Sequence, residues 1–598
     1  MSTFGHYLIN DLFPAEHKSS EQLTTSSLNK RLVAMAKHDP AEYVKTVDKL
    51  KRIGDEISTL EGVSVGLDDI TPSYALRDKI LGPAIHAVKG ATSDKERERI
   101  ILDMQDKLLM VTERHPGTMA PMAKSKARGN MAQLMKTITS PIAAVDPSGR
   151  IVPWLIGKSY AEGLSSADYW VTGNESRINT VKSATSVAEP GDVSKMFVNT
   201  LYPYIISSDD CGTRNGIIQS SHSHQIIGRY LAKDQGTHKH NDLITPAIAK
   251  DLAKHGDKVY VRSPMTCDAK QGICKKCQGL DERGHLHNIG VNVGVRAAQA
   301  LSEPLTQIAL DAKHAKRVLK GASASLSGMS GIRQLVEVPQ SFFMKACLAE
   351  IPGKVTEIKP APHGGHYVFV NGVEHYTAPN LEVIVHVGQH VEAGDALDNG
   401  VPKPDELVHH KGLGAGRDYL VDALHRLYKD AGPDMDRRHL ELLVRADLNH
   451  VRIADHSDKH PELIRGDVVS YQTFKAIAEK DTHAVPLEKA EGHILGKEIF
   501  HFTVGTPITA SIVNTLKLHN VKNVWVSTSA PRVEFIMKPI TRNPLLNPDW
   551  MARMAHRYLK DTLMRGAHVS DVSDLQGPHP IPGYAYGITF GQGPEGRY

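Results

Sequence analysis

The sequence predicts a multidomain α+β protein, and three observations carry that reading. The chain has 598 residues, enough for about four domains at roughly 150 residues each. Long stretches of helical apolar spacing give way, over 346–400, to period-two alternation punctuated by glycine, the pattern of a small β-sandwich or barrel. Ahead of that region, three cysteines at spacing C-x6-C-x2-C lead into a helical segment and then a polar, glycine-closed stretch carrying His314.

Composition narrows the class. Hydrophobic residues make up 40% and charged residues 23%, ordinary for a globular protein, and 6% aromatic content implies aliphatic cores. A net charge of +4 is too small to demand a polyanionic partner, so any basic surface is local. Five cysteines are too few for a disulfide framework, which points to a reducing, cytoplasm-like compartment. No apolar run reaches membrane-spanning length, and the first residues, MSTFGHYLINDLFPAEHK, lack the layout of a signal peptide.

Residues 1–120 read as helical. A charged segment from Leu28 to Leu60 is followed by a break at EGVSVGLDDITPS, and a second charged helix follows with Ser93 as its N-cap. Two such helices predict an antiparallel pair. Residues 121–157 hold a basic loop, Lys124, Lys126 and Arg128 beside Gly129, where cations and backbone can approach a phosphate together. From Lys158 to 200 the pattern predicts another helix. Its second half is rich in small and hydroxylated residues, so one face should meet something other than this chain, and Pro190 with Gly191 should kink it near its end. Residues 201–285 contain a short strand at VYVRSP and most of the cysteines. Residues 404–530 begin with helices at RDYLVDALHRLYKDAG and DRRHLELLVRADL, and 531–598 hold a helix at WMARMAHRYLKDTLMRG before a Gly/Pro-rich tail.

The chemistry follows from residue types. Zinc takes four tetrahedral ligands and thiolates suit it. Cys267, Cys274 and Cys277 give three, and Cys211, in the turn-rich DDCGT, is the fourth, because Cys347 sits in an apolar strand. Four protein ligands leave no open position, so the role is structural, a staple between distant parts of the chain. The pairs Asp68/Asp69, Asp209/Asp210 and Asp434/Asp436 have spacing for a divalent metal but read better as turns or caps. No zinc hydrolase signature, nucleophile elbow or phosphate loop is present. His314 lies among Lys313, Lys316 and Arg317, a cationic setting suited to a triphosphate leaving group.

The order of segments resembles the C-terminal half of the β′ subunit of multisubunit DNA-dependent RNA polymerases. SKARGNMAQL resembles that family's F-loop, IGKSYAEGL through AEPGDVSKMF its bridge helix, DDCGT with CDAKQGICKKC its four-cysteine zinc site, and GVRAAQALSEPLTQIALDAKH the helix leading into its trigger loop. LSGMSGIRQLVEV, LAEIPGKV, VEAGDAL and RDYLVDALHRLY resemble later segments, and HRYLKDTLMRG with GYAYG the end.

The resemblance implies a domain order. A secondary-channel or rim region (1–120) precedes the F-loop segment (121–157) and the bridge helix (158–200). The zinc region (201–285) and the trigger loop with its helices (286–330) come next. A β-sandwich or barrel (331–403), a jaw or cleft region (404–530) and a clamp or switch region (531–598) complete it. It implies that His314 contacts the incoming nucleotide's phosphates, with Gln307 on the same moving arm and Leu310 where a family methionine packs on the base. Val187 and Ala188 would lie beside the templating base, and Arg128, Arg177 and Lys195 would meet nucleic acid. Asp311 stands where bacterial members usually carry an arginine. The family's magnesium loop, Asn-Ala-Asp-Phe-Asp-Gly-Asp, is absent, which implies a split β′ whose catalytic Mg2+ is held by a partner chain, leaving this chain inactive alone. Such splits, with this divergent trigger loop, suggest a giant (phiKZ-like) bacteriophage. Partners would be a β′ N-terminal-like subunit, β-like subunits, template DNA, the RNA transcript, nucleoside triphosphates and an initiation-factor-like subunit, in host cytoplasm or virion. The rival expectation is a non-enzymatic, zinc-stapled nucleic-acid-binding or regulatory protein derived from a polymerase fragment.

Overall fold

The computed structural model describes residues 3–544 apart from 22, 62–63, 73, 92, 116, 126, 145–151, 153, 186–187, 270–271, 312–327, 432–434, 457–458, 462, 500–501, 519–520 and 529, together with 564, 567 and 568. The chain divides into two compact units, Met1–Thr185 with Lys313–Ser325, and Ser186–Ala312 with Leu326–Tyr598. The fold is mixed α+β, as expected.

The first unit is helical. Helix α1 (Phe4–Asp11) precedes α2 (Thr25–His38) and α3 (Pro40–Glu61). The expected single segment from Leu28 to Leu60 is therefore two helices. Pro40 cannot donate into the preceding turn, and Asp39 accepts the Ala41 and Glu42 amides, so one residue ends α2 and caps α3. Thr24 and Ser27 close a capping box on α2. Helices α4 (Tyr74–Gly90) and α5 (Asp94–Thr112) form the expected pair, with Ser93 capping the Glu96 amide. Leu81, Val88, Ile101, Met104 and Leu108 fill the space between them. Asp69 accepts the Gly66 and Thr118 amides, a turn role rather than a metal ligand's.

After α6 (Met119–Ser125) and α7 (Met131–Ile138) comes α8 (Ser166–Thr185). The helix expected from Lys158 starts at Ser166, because Ser165 caps the Asp168 amide while its hydroxyl donates to the Asp168 carboxylate. Residues 158–165 are turns, held by Ser159 and Glu162 bonding each other's amides.

The second unit opens with α9 (Ala188–Leu201). Pro190 is buried near the start of the described part of this helix, and residues 186–187, where a kink ahead of Pro190 would fall, lie outside the described residues. Two small sheets follow: β1 (Ile206–Ser208) parallel to β4 (Ile273–Cys274), and β2 (Ile217–Ser220) antiparallel to β3 (Lys258–Val261), the strand expected at VYVRSP. Helix α10 (Pro246–His255) precedes β3, and the short α11 (Lys275–Gln278) follows β4. Helix α12 (Val293–Asp311) is amphipathic, burying Ala297, Ala298, Leu301 and Leu305.

Helix α13 (Gly328–Glu337) runs past the boundary set at 330, so the β-rich region starts later than residue 331. There β5 (Gly353–Pro360), β6 (His366–Val370), β7 (Val373–Thr377) and β8 (His390–Val391) form an antiparallel sheet in the order β7-β6-β5-β8. Val355, Val368, Val370, Val385, Val391 and Leu397 make its own core. Cys347 packs against that core, outside any named strand.

Helix α14 (Pro404–Ala431) bends at Gly412, whose φ of 79° only glycine adopts at little cost. Helix α15 (Arg437–Asp447) follows. Strand β9 (His450–Ile453) lies between β10 (Val468–Ser470) and β14 (Val533–Ile536); β13 (Asn523–Ser527) lies between β11 (Thr482–Pro486) and β12 (Ile494–Leu495). Helices α16 (Tyr471–Ala478) and α17 (Ala510–Leu518) pack beside them. Most of the helix expected at WMARMAHRYLKDTLMRG, and GYAYG, lie outside the described residues. No helix among the described residues is long and apolar enough to cross a membrane.

Candidate metal centre

The four expected cysteines converge. Their sulfurs all lie within 4.8 Å of one another, and no other His/Cys/Asp/Glu group among the described residues gathers in this way. Cys211 Sγ is 3.7 Å from both Cys267 Sγ and Cys277 Sγ. Zn–S bonds of about 2.3 Å give a sulfur tetrahedron an edge of about 3.8 Å, so the spacing fits a zinc ion. Local folding sets the geometry. The Cys274 amide donates to Cys267 Sγ and the Cys277 amide to Cys274 Sγ, both at 3.4 Å, so the strand-to-helix turn of β4 and α11 presents its sulfurs inward. Cys267, Cys274 and Cys277 are buried and Cys211 is half-buried. Cys347 takes no part.

Two features around the sulfurs lay beyond sequence reasoning. The first is Arg262, fully buried at the end of β3. Its Nη2 donates to Cys211 at 3.2 Å, Cys277 at 3.3 Å and Cys274 at 3.4 Å. Its Nη1 donates to Asn241 Oδ1 at 2.6 Å and pairs with Asp210 Oδ1 at 2.7 Å. Burial alone would lower its pKa, but Cys277 and Asp210 outweigh that and raise it. The second is the acidic pair beside Cys211. Lys275 pairs with Asp209 at 2.6 Å and Lys276 with Asp210 at 2.9 Å. The Asp210 carboxylate also accepts the Gly212 amide at 2.9 Å, so the expected turn role is present alongside the ionic one. Against the opposing cost of burial, that amide, Lys276 and Arg262 bring Asp210 down to about 2. The lysines between Cys274 and Cys277 thus tie the near segment of the cluster to the far one.

Helix α15 locks the cluster to the rest of its unit. Arg445 Nη1 donates to the Pro264 and Cys267 carbonyls at 2.7 and 2.8 Å. Arg438 donates to the Gln278 and Leu280 carbonyls, and from α16 Lys475 Nζ reaches Asp268 at 2.8 Å. Glu441 accepts a two-pronged bond from Arg229 at 2.8 Å each and a third from Ser263 at 2.6 Å. Burial would raise the Glu441 pKa, yet Arg229 and Arg437 hold it below its usual value. Asp436 accepts the Arg438 amide and guanidinium, a cap as expected; Asp434 lies outside the described residues.

The same framework seats α12. A Cβ on Gly294 would lie 1.8 Å from the Leu201 carbonyl oxygen, so α12 begins flush against the end of α9, and only glycine fits. Asn292 caps the Val295 amide and donates to the Tyr202 carbonyl. Pro304 removes one helical bond inside α12, and Tyr428 donates to the neighbouring Leu301 carbonyl at 2.9 Å.

The remaining candidate residues lie on several elements. Gln307 and Leu310 lie in the last turns of α12, which ends at Asp311; His314 and Val187 lie outside the described residues. Ala188 is the first residue of α9 and Lys195 is exposed on it. Arg177 is exposed on α8, as are Lys124 and Arg128 around Gly129.

Comparison with known proteins matches residues 163–483, over half the chain, to the family described as RNA polymerase Rpb1, domain 5. The matched stretch contains the four cysteines, α12 and the four-stranded sheet. The β′ subunit of DNA-directed RNA polymerase from Caldicellulosiruptor saccharolyticus is 29% identical over 474 residues, covering 72% of this chain and 40% of that protein. The same subunit from Oceanobacillus iheyensis is 30% identical over 491 residues, covering 75% and 40%. The chain thus spans about two-fifths of the length of the curated relatives it matches. On the matched stretch, the chain belongs to the RNA polymerase Rpb1, domain 5 family.

Proposed function

We propose that this chain is the β′ C-terminal subunit of a multisubunit DNA-directed RNA polymerase, with a structural zinc ion held by Cys211, Cys267, Cys274 and Cys277. The single observation that carries the reading is the ordered family match running from α8 through the cysteine cluster and α12 to the later β-rich region. In this reading α8 and α9 are the bridge helix, and 312–327 is the trigger loop, with α12 and α13 as its flanking helices. The zinc ion would supply cross-linking of two distant segments and no chemistry on substrate. The chain's own residues bind and orient: Arg128, Arg177 and Lys195 contact nucleic-acid phosphates, and Val187 and Ala188 border the templating base. Gln307 and Leu310 ride on the closing arm, and His314 neutralises the leaving phosphates or positions them for in-line attack.

In this proposal the catalytic Mg2+ is held by a partner chain, and this chain is inactive alone. That partner is a β′ N-terminal-like subunit, and the others are β-like subunits, template DNA, RNA, nucleoside triphosphates and an initiation-factor-like subunit. The compartment is the cytoplasm of a host cell infected by a giant bacteriophage, or its virion. The test is purification of the tagged chain from its natural source, followed by template-dependent RNA synthesis by the recovered complex. Co-purifying large subunits and a transcript that follows the template are expected; a chain recovered without such partners or activity overturns the proposal.

A further inference from the structure

Four thiolates around one zinc ion leave two negative charges. Here three of the four sulfurs are buried, where uncompensated charge is costly. The two nearest lysines do not offset it at the sulfurs, because Lys275 and Lys276 turn to Asp209 and Asp210. Among the described residues, Arg262 is the cation whose donor reaches sulfur. It covers the face made by Cys211, Cys274 and Cys277, and its other prong is fixed by Asp210 and Asn241. Cys267, outside that face, is served by a different donor, the Cys274 amide. The guanidinium therefore contacts both the far ligand, Cys211, and the near pair, Cys274 and Cys277.

We propose that Arg262 is the positioning residue of the zinc site: its buried guanidinium bonds three ligand sulfurs at once, offsets their charge and holds Cys211 against Cys274 and Cys277, so that zinc is retained. This rests on the zinc reading above. Hydrogen-bond partners of metal ligands commonly alter affinity about 10–100-fold. A lysine is not an equivalent replacement, since it carries the charge without the planar fork that joins Asp210 to the sulfurs.

The experiment follows zinc release from the full chain into excess chelator, with a colorimetric zinc indicator, for wild type, R262M and R262K. The expected result is one zinc per wild-type chain, release roughly 10–100-fold faster in R262M, and an intermediate rate in R262K. Cobalt-loaded wild type and R262K provide a second readout. Losing N–H···S bonds should move the sulfur-to-cobalt charge-transfer band to lower energy. An R262M release rate equal to wild type overturns the role. If R262M does not fold, an unchanged band and release rate in R262K do so. A wild-type chain that holds no zinc overturns the zinc reading itself, a result distinct from zinc held equally well by wild type and variants.

Discussion

Helices α8 and α15 contrast in a way their sequences invert. Helix α15, RRHLELLVRAD, is rich in charged residues, yet every residue from Leu440 to Asp447 is buried. Helix α8 carries the large side chains Tyr169 and Trp170, yet both are exposed, and its only buried residues among those described are Asp168 and Thr172. Partners explain the inversion. The charges of α15 are met inside the unit: Glu441 by Arg229 and Ser263, Arg445 by the carbonyls of the cysteine loop. Tyr169 and Trp170 leave an exposed apolar surface on α8. One helix turns its charges onto the cysteine loop; the other leaves its aromatic side chains exposed.

The contrast can be broken at several points. The largest effect should come from the metal centre. Cys274→Ser is expected to reduce bound zinc to near zero and to cripple folding or assembly, since metal binding there is part of the folding free energy. Metal analysis of the purified chain checks it; an unchanged zinc content would remove the staple. Next is Glu441→Gln, which leaves Arg229 buried without its counter-charge. A loss of about 3–5 kcal/mol is expected, read from the denaturant midpoint. A variant as stable as wild type would mean that the α15 charges do not hold this unit together.

A smaller effect lies at the end of the same helix, where the Lys538 amide bonds the Asp447 carbonyl. Burial brings the Lys538 ammonium down to about 8 from an ordinary 10.5. Between those values the unfolded chain binds more protons than the folded one, so Lys538 makes stability rise as pH climbs from about 8 towards 10.5. Below pH 8 it is a net cost. Lys538→Met should flatten that rise and stabilise the chain at pH 7 by about 1–3 kcal/mol; denaturation at pH 7 and pH 10 is the check. The smallest effect on stability belongs to α8. Arg177→Ala should leave it within about 0.5 kcal/mol while weakening nucleic-acid binding by the assembled complex. A marked loss of stability would place Arg177 in a packing role.

What the sequence made legible follows the same division. The four-cysteine cluster was readable because cysteine is scarce here and its spacing is a metal ligand's, and the choice of Cys211 over Cys347 matches the cluster. The period-two region became the four-stranded sheet. The break at Asp39–Pro40 carried its signal in the dipeptide itself. Arg262 was not legible: it is one of 71 Lys and Arg residues, and nothing in its spacing marks it as buried. The burial of α15 was hidden for the same reason, because its partners lie up to some two hundred residues away in sequence, as Arg229 does from Glu441. Boundaries slipped where one capping serine decides them, as Ser165 does for α8. His314 and Val187 lie outside the described residues, so their roles rest on the resemblance and on experiment.

In the proposed polymerase, His314 contacts the phosphates of the incoming nucleotide. The most direct measurement is the single-nucleotide addition rate of the purified complex carrying His314→Ala, compared with wild type on the same template. A positioned proton donor contributes on the order of 10²-fold or more, so a slowing of about that size with normal assembly is predicted. Equal rates in a fully assembled complex would contradict it.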